Sequence, residues 1–387
     1  MQALIDQRAR RLAKIAIMEQ ELHSPVVAYF TASDAPIIGG KISEDAIRPM
    51  YDHLRTIGKK ERIALYLYSQ GGVMEAPWKI ITMLREFCDT LYVLVPYKAY
   101  SAATMIAMGA DRVYMTSKAE LGPIDPSLEA QAPPDREGPR LAELGVEDIG
   151  SYLTFLRDRA KLTDQDAVAK LVGTMAEYLT PPLLGRIERV SSHIRLVARN
   201  LLALHKPPLD DRQISAIAEA LIEKIYVHGH GIGRNEAKQI GLDVEKADGQ
   251  LGDSMWDLYE LYEEPMRLRE TREVESYFGT SDVYEKDDQA VASIESTTML
   301  HAFVGKARAQ RIRRIPPQPT LNINLALNIP GNVNPQQLPA AVTQAIQQLL
   351  QNAAQQLQTL VAQELARQSP VAGITGSLLG AVWKRLV

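Results

Sequence analysis

Two short motifs on consecutive strand–helix units hold the residues of this chain that can do chemistry. Ser69-Gln70-Gly71-Gly72 follows the apolar run 63–68, and Ser101-Ala102-Ala103-Thr104 follows the apolar run 91–95. Both runs are nearly continuous rather than alternating, the pattern of strands buried on both faces of a parallel sheet. The stretch 73–87 between them has helical spacing and predicts a right-handed crossover. Parallel strands end on the same edge of a sheet, where open α/β folds bind ligands. A di-glycine with unscreened backbone N–H groups and a serine at a helix start then lie close together. Such a pair suits acyl transfer: a nucleophile beside donors for a developing oxyanion.

Each motif also has a plainer reading. Ser101 can serve as an N-cap, its hydroxyl accepting a backbone N–H of the first helical turn. Gly71-Gly72 can simply end a strand where the chain turns. What favours chemistry is the pairing, together with the small residues Ala99, Ala102 and Ala103 that leave room around the serine.

The elements expected to position these motifs begin with a helix over 2–22 and a strand over 25–31. A helix over 42–58 and the two strand–helix units follow, then a helix over 102–108 and a short strand over 112–115. Segment 131–139, rich in proline and charge, predicts a surface loop. Residues 147–264 are mostly helical in pattern, with helices over 183–204, ended by Pro207-Pro208, over 211–225, and over 234–240 before Gly241. Beyond 305 the composition shifts. The basic run Lys306, Arg308, Arg311, Arg313, Arg314 predicts a solvated helix face, with contact to an acidic partner as the alternative. Residues 321–327 alternate as a half-buried strand, 336–367 is a Gln/Ala/Leu-rich helix, and 374–387 is a short amphipathic tail. The expected division is an N-terminal helix (1–24), a main domain (25–250), a helical extension with the basic run (251–315), and a C-terminal strand and amphipathic-helix interaction module (316–387).

Four blocks carry a resemblance: 65–72, Pro96 through Thr104, Gly109-Ala110-Asp111, and Leu121-Gly122-Pro123-Ile124-Asp125-Pro126, with a weaker continuation at Glu236-Ala237 and Gly241-Leu242. Over about residues 20 to 250 the chain resembles the serine dehydrogenase proteinase branch of the Clp-protease/crotonase superfamily, related to signal peptide peptidase A and the Clp proteolytic subunit. The resemblance implies an α/β fold built as a spiral of ββα units, extended here by helices and a small C-terminal strand-plus-helix module. It implies Ser101 as nucleophile and Gly71 and Gly72 as oxyanion donors, with the N–H of Ala102 as a further donor.

The general base departs from the family pattern. Clp subunits place a histidine some two dozen residues after the serine, but this chain has Asp125 near that place and no histidine between Ser101 and His193. Signal peptide peptidases use a downstream lysine instead, and Lys161 is the first lysine after Lys118. A lysine base must be neutral, which requires burial or a nearby cation. Lys161 follows Arg157, Asp158 and Arg159 in a pattern more typical of a solvated face, so Asp125 stays open as an alternative. Lys98 is expected as a loop lysine and His193 as a packed or surface histidine. His228-Gly229-His230 lacks the companion ligands of a metal site, so neither metal nor cofactor is expected.

A net charge of −4 gives no reason to expect nucleic acid. The one cysteine, Cys88, excludes an intrachain disulfide and is expected to pack at a helix end. No apolar stretch is long enough for a membrane span, and the N-terminus lacks a secretory pattern, so the expected location is cytoplasmic. No GxxxxGK[ST] loop occurs, so the expected activity is ATP-independent. With the resemblance, these features imply a soluble serine peptidase that acts on peptides or proteins, and the resemblance implies a homo-oligomer. The competing reading is a catalytically impaired scaffold or assembly protein acting through its C-terminal module. Crotonase-like thioester chemistry ranks behind both.

Overall fold

The architecture comes from a computed structural model, which describes residues 1–124, 127–135, 138–162, 164–176, 179–222, 230–271, 273–314 and 339–387. The chain forms two compact units. The first comprises Met1–Val274, Asp287–Lys306 and Leu378–Val387, and the second Glu275–Lys286 and Ala307–Ser377.

The first unit is built on parallel strands β1 (Val26–Thr31), β2 (Lys60–Tyr68), β3 (Cys88–Val95), β4 (Arg112–Met115) and β5 (Val244–Lys246). They run in the order β5-β4-β3-β2-β1, followed by the stretches of β6 (Val283–Glu295), β7 (Leu300–Arg313) and β8 (Val371–Arg385) that belong to this unit. Val27, Leu65, Val93, Val113 and Val244 are cross-strand partners in one row over five strands. Alternate residues of β2 serve opposite faces. Ile63, Leu65 and Leu67 enter one core, and Ala64, Tyr66 and Tyr68 the other. Burial on both faces is what removes the polar half of the alternation from these strands. The first core takes in α2 (Ile47–Ile57), α3 (Ala76–Arg85), α4 (Ala102–Met108), α5 (Pro181–Leu202) and α6 (Asp211–Ile222), named after α1 (Arg8–Leu22) in chain order. The second core lies between the sheet, α1 and α7 (Gly249–Glu263). The expected α/β fold is therefore present, with helices on both faces of a mainly parallel sheet.

Inside the second core Arg11 and Glu295 are both fully buried and joined at 2.6 and 3.2 Å. The Tyr262 hydroxyl donates to the same carboxylate at 2.7 Å, and Arg11 also donates to the Leu4 carbonyl at 2.6 Å. This network ties the N-terminal helix to β6. The helix expected over 2–22 is interrupted at Gln7, which separates a short helix Gln2–Asp6 from α1.

Several expectations need correction. The segment read as a helical extension is helical through α7 and a short 3-10 turn at Val274–Tyr277; β6 and β7 follow. The charges at Lys306, Arg308, Arg311 and Arg313 lie on β7, where Ala307 and Ala309 are buried between more exposed neighbours. Within the second unit Arg313 pairs with both oxygens of Asp282 at 2.7 and 2.6 Å, and Arg311 meets Glu275 at 2.8 Å. The tail over 374–387 belongs to strand β8. The loop expected over 131–139 is a hairpin of strands Ser127–Asp135 and Gly138–Gly145, with a register shift between Ala132 and Asp135 at the two prolines. A two-stranded ribbon tolerates proline because its outer edge needs no ladder donor. Cys88 begins β3 rather than closing a helix. The strand expected over 321–327 lies outside the described residues. The Gln-rich helix is present in the second unit as α8 (Ala340–Gln368), with no buried residue along its 29 positions.

Candidate active site

Strand β2 ends in the di-glycine turn and β3 leads into the serine loop, as the parallel arrangement requires. Between them Ser69 N–H donates to Lys98 O at 3.1 Å, and Tyr100 N–H donates to Ser69 O at 3.0 Å. The two motifs are thus stitched side by side. Ser101 precedes α4 in the N-cap position, but its side chain makes no capping hydrogen bond. Its backbone takes φ 53° and ψ −115°, a conformation that a residue with a Cβ adopts only when its surroundings impose it. The half-buried hydroxyl faces the Met74 thioether at 3.6 Å, a weak acceptor. A serine held at an unfavourable turn between strand and helix, with its hydroxyl uncommitted to the backbone, has the form of a nucleophile elbow.

Gly71 lies directly against it. A Cβ at Gly71, whose φ is +113°, would fall 2.8 Å from Ser101 Cβ and 3.3 Å from its Oγ. At Gly72 a Cβ would fall 2.1 Å from the Ile42 carbonyl oxygen. As an oxyanion donor, however, Gly71 departs from expectation, because its N–H donates to Ser69 Oγ at 3.0 Å. The N–H groups of Gly72 and Ala102 have no hydrogen-bond acceptor among the described residues.

The Leu121-Gly122-Pro123 block braces the serine loop. Gly122 packs on the Tyr100 ring, where a Cβ would lie 2.5 Å from Cγ. Thr104 Oγ1, fully buried, lies 2.7 Å from the carbonyl oxygens of Ala99 and Gly122. Tyr100 donates its hydroxyl to Glu120 at 2.5 Å, and burial, followed by that carboxylate, pushes the phenol pKa up. Asp111 of Gly109-Ala110-Asp111 is structural, since it takes both Arg85 guanidinium nitrogens at 2.6 and 2.9 Å and the Leu91 N–H at 2.7 Å.

The base candidates fare differently. Lys161 is exposed, has φ 54°, and makes no hydrogen bond or ion pair with the serine loop among the described residues. Asp125 lies outside the described residues. Lys98 is engaged elsewhere, 3.6 Å from Asp34 and over the rings of Tyr97 and Tyr100 at 5.1 and 6.0 Å. His193 lies on α5. His230 contacts Glu236 at 2.9 Å, His228 is outside the described residues, and no metal-holding group of His, Cys, Asp and Glu occurs among those described. Sequence reading missed Thr31, Ser33 and Met74 at the site. They carry no motif of their own and arrive there only through the folding of β1 and the turn after β2.

Residues 35–137 match the family of ClpP-like SDH-type serine proteinases. The matched segment contains the di-glycine turn, the serine loop and the Leu121–Gly122 brace, so the resemblance drawn from these motifs is borne out. The family supports a serine peptidase. The chain is also similar to two uncharacterized proteins of Methanocaldococcus jannaschii. One is 26% identical over 65% of this chain and 72% of the relative, the other 22% identical over 67% and 75%. Similar solved structures include the 1510-N membrane-bound stomatin-specific protease, with 17% identity over 53% of this chain and 74% of that chain and a TM-score of 0.33. Another is ClpP1 from Listeria monocytogenes, with 15% identity over 60% and 95% and a TM-score of 0.31. No described helix is long and apolar enough to cross a membrane.

Proposed function

We propose that this chain is an ATP-independent serine peptidase with Ser101 as its nucleophile. The observation that carries the reading is the Ser101 backbone at φ 53°, with a hydroxyl that caps nothing, against a glycine that has no room for a side chain. In the first step Ser101 Oγ adds to a peptide carbonyl carbon and its proton passes to a base. The N–H groups of Gly72 and Ala102 are the donors for the oxyanion, and Gly71 supplies close approach. Collapse of the tetrahedral intermediate expels the amine with a proton, and water hydrolyses the acyl-enzyme.

Lys161 is the base candidate in this reading. Exposed in the free chain, it must be covered before its amine can accept a proton, and we infer that a second copy of the chain or bound substrate supplies that cover. The working form is then a cytoplasmic homo-oligomer, to which the exposed helix α8 offers a contact surface. A scaffold role without catalysis is the second reading. It is favoured by the Met74 thioether being the hydrogen-bond partner of Ser101 Oγ among the described residues. A fluorophosphonate probe separates the two, because covalent labelling at Ser101 requires an activated hydroxyl that a scaffold does not need.

A further inference from the structure

We propose that Ser69 is a positioning residue for the oxyanion loop: its buried hydroxyl, backed by Thr31, fixes the Gly71 peptide so that the Gly72 N–H is left free for the reacting carbonyl. The proposal rests on the peptidase reading above and adds to it a residue that never touches substrate.

Ser69 is fully buried and its oxygen is saturated. It accepts the Gly71 N–H at 3.0 Å and the Thr31 hydroxyl at 2.8 Å, and its own proton lies toward Gly71 O at 3.2 Å. An oxygen with both lone pairs and its proton engaged is no nucleophile, but it is a rigid anchor. The surrounding loop shows the consequence. Gln70 N–H donates to Ser33 Oγ at 3.2 Å, and Ser33 donates to Gly40 O at 2.8 Å. Ile42 N–H donates to Gly71 O at 2.9 Å, and Val73 N–H donates to Ile42 O at 2.8 Å. Of the consecutive N–H groups of Gln70, Gly71, Gly72 and Val73, that of Gly72 has no acceptor among the described residues.

The same residue also holds the other half of the site. Ser69 N–H and C=O are the groups bonded to Lys98 O and Tyr100 N, immediately before the nucleophile. One buried serine therefore sets the spacing between a candidate oxyanion donor and Ser101. Loss of its hydroxyl leaves the Thr31 hydroxyl to Ser33 Oγ, 2.8 Å away, but removes the acceptor of the Gly71 N–H and lets the Gly71 peptide turn. Misplacement of this kind costs about ten- to hundredfold in rate.

The test measures fluorophosphonate labelling of the full chain, separating the probe's apparent affinity from its maximal inactivation rate. Wild type, Ser69→Ala, Thr31→Val and the double variant are compared, with folding followed by thermal unfolding. The expected result is a maximal rate lowered about ten- to hundredfold in Ser69→Ala and less in Thr31→Val, with apparent affinity within about twofold of wild type. The double variant should be no slower than Ser69→Ala, because Thr31 acts through Ser69. Wild-type rates in a folded Ser69→Ala chain, or single effects that simply multiply, would overturn the proposal. Should Ser69→Ala fail to fold, Thr31→Val decides: a lowered rate supports the relay and an unchanged one overturns it. A wild type that takes no probe overturns the peptidase reading itself, and this proposal with it.

Discussion

A side chain at Gly71 would collide with Ser101, its Cβ reaching to 2.8 Å of the serine Cβ. This contact is what joins the two sequence motifs into one site, since it brings the end of β2 against the start of α4. It leads directly to a prediction. Gly71→Ala must push the serine loop aside and also place an alanine at φ +113°. Its fluorophosphonate labelling should fall about a hundredfold or more, while circular dichroism still reports a folded chain.

The buried Arg11–Glu295 pair is a stability element of the second core. With both side chains fully buried, Glu295→Ala leaves the Arg11 charge uncompensated in the second core, and Arg11→Ala leaves Glu295 only its longer pair with Arg8 at 3.5 Å. Arg11→Ala or Glu295→Ala should each lower stability by about 3–5 kcal/mol, measured by denaturant unfolding. Replacing both by apolar residues should cost much less than the sum of the single losses.

The fold also contains a histidine pair that should make stability depend on pH. His53 Nε2 lies 3.0 Å from His301 Nδ1, and His53 Nδ1 lies 2.7 Å from Ser296 Oγ. Burial, and then the neighbouring His301, lower the His53 pKa to about 3, with Asp52 opposing the shift and Arg385 adding to it. An unfolded histidine titrates near 6.5. Between about 6.5 and 3 the unfolded chain therefore binds the extra proton, and native stability declines as pH falls. The limiting slope is about 1.4 kcal/mol per pH unit for this group. Unfolding midpoints measured from pH 7 to pH 5 should fall in the wild type, and His53→Gln should flatten that slope while lowering stability at pH 7.

The part of the molecule that carries the candidate site was legible in the sequence because its signals are local. Continuous apolar runs at 63–68 and 91–95 require parallel strands buried on two faces, and the crossover between them leaves the di-glycine and Ser101 at one edge. The later strands were harder to read. In β7 the charged residues Lys306, Arg308, Arg311 and Arg313 drew attention as a basic run, although Ala307 and Ala309 alternate with them in strand fashion. The competing signal was small, since alanine suits a helix as well as a buried strand position. Ser69 and Thr31 were illegible for a different reason. Their importance is a matter of which N–H groups they occupy, and hydrogen bonds between β1 and the turn after β2 leave no periodic trace in either segment.

The central claim is that Ser101 is an activated nucleophile, and the most direct measurement is fluorophosphonate labelling of the wild type beside Ser101→Ala and Lys161→Ala. The account predicts one modified residue, Ser101, whose Oγ displaces fluoride from phosphorus, and no labelling of Ser101→Ala. It further predicts a reaction about a hundredfold slower or more in a folded Lys161→Ala chain, the lower end of what a positioned base contributes. Labelling that persists in Ser101→Ala, or a folded wild type that takes no probe, would contradict the account.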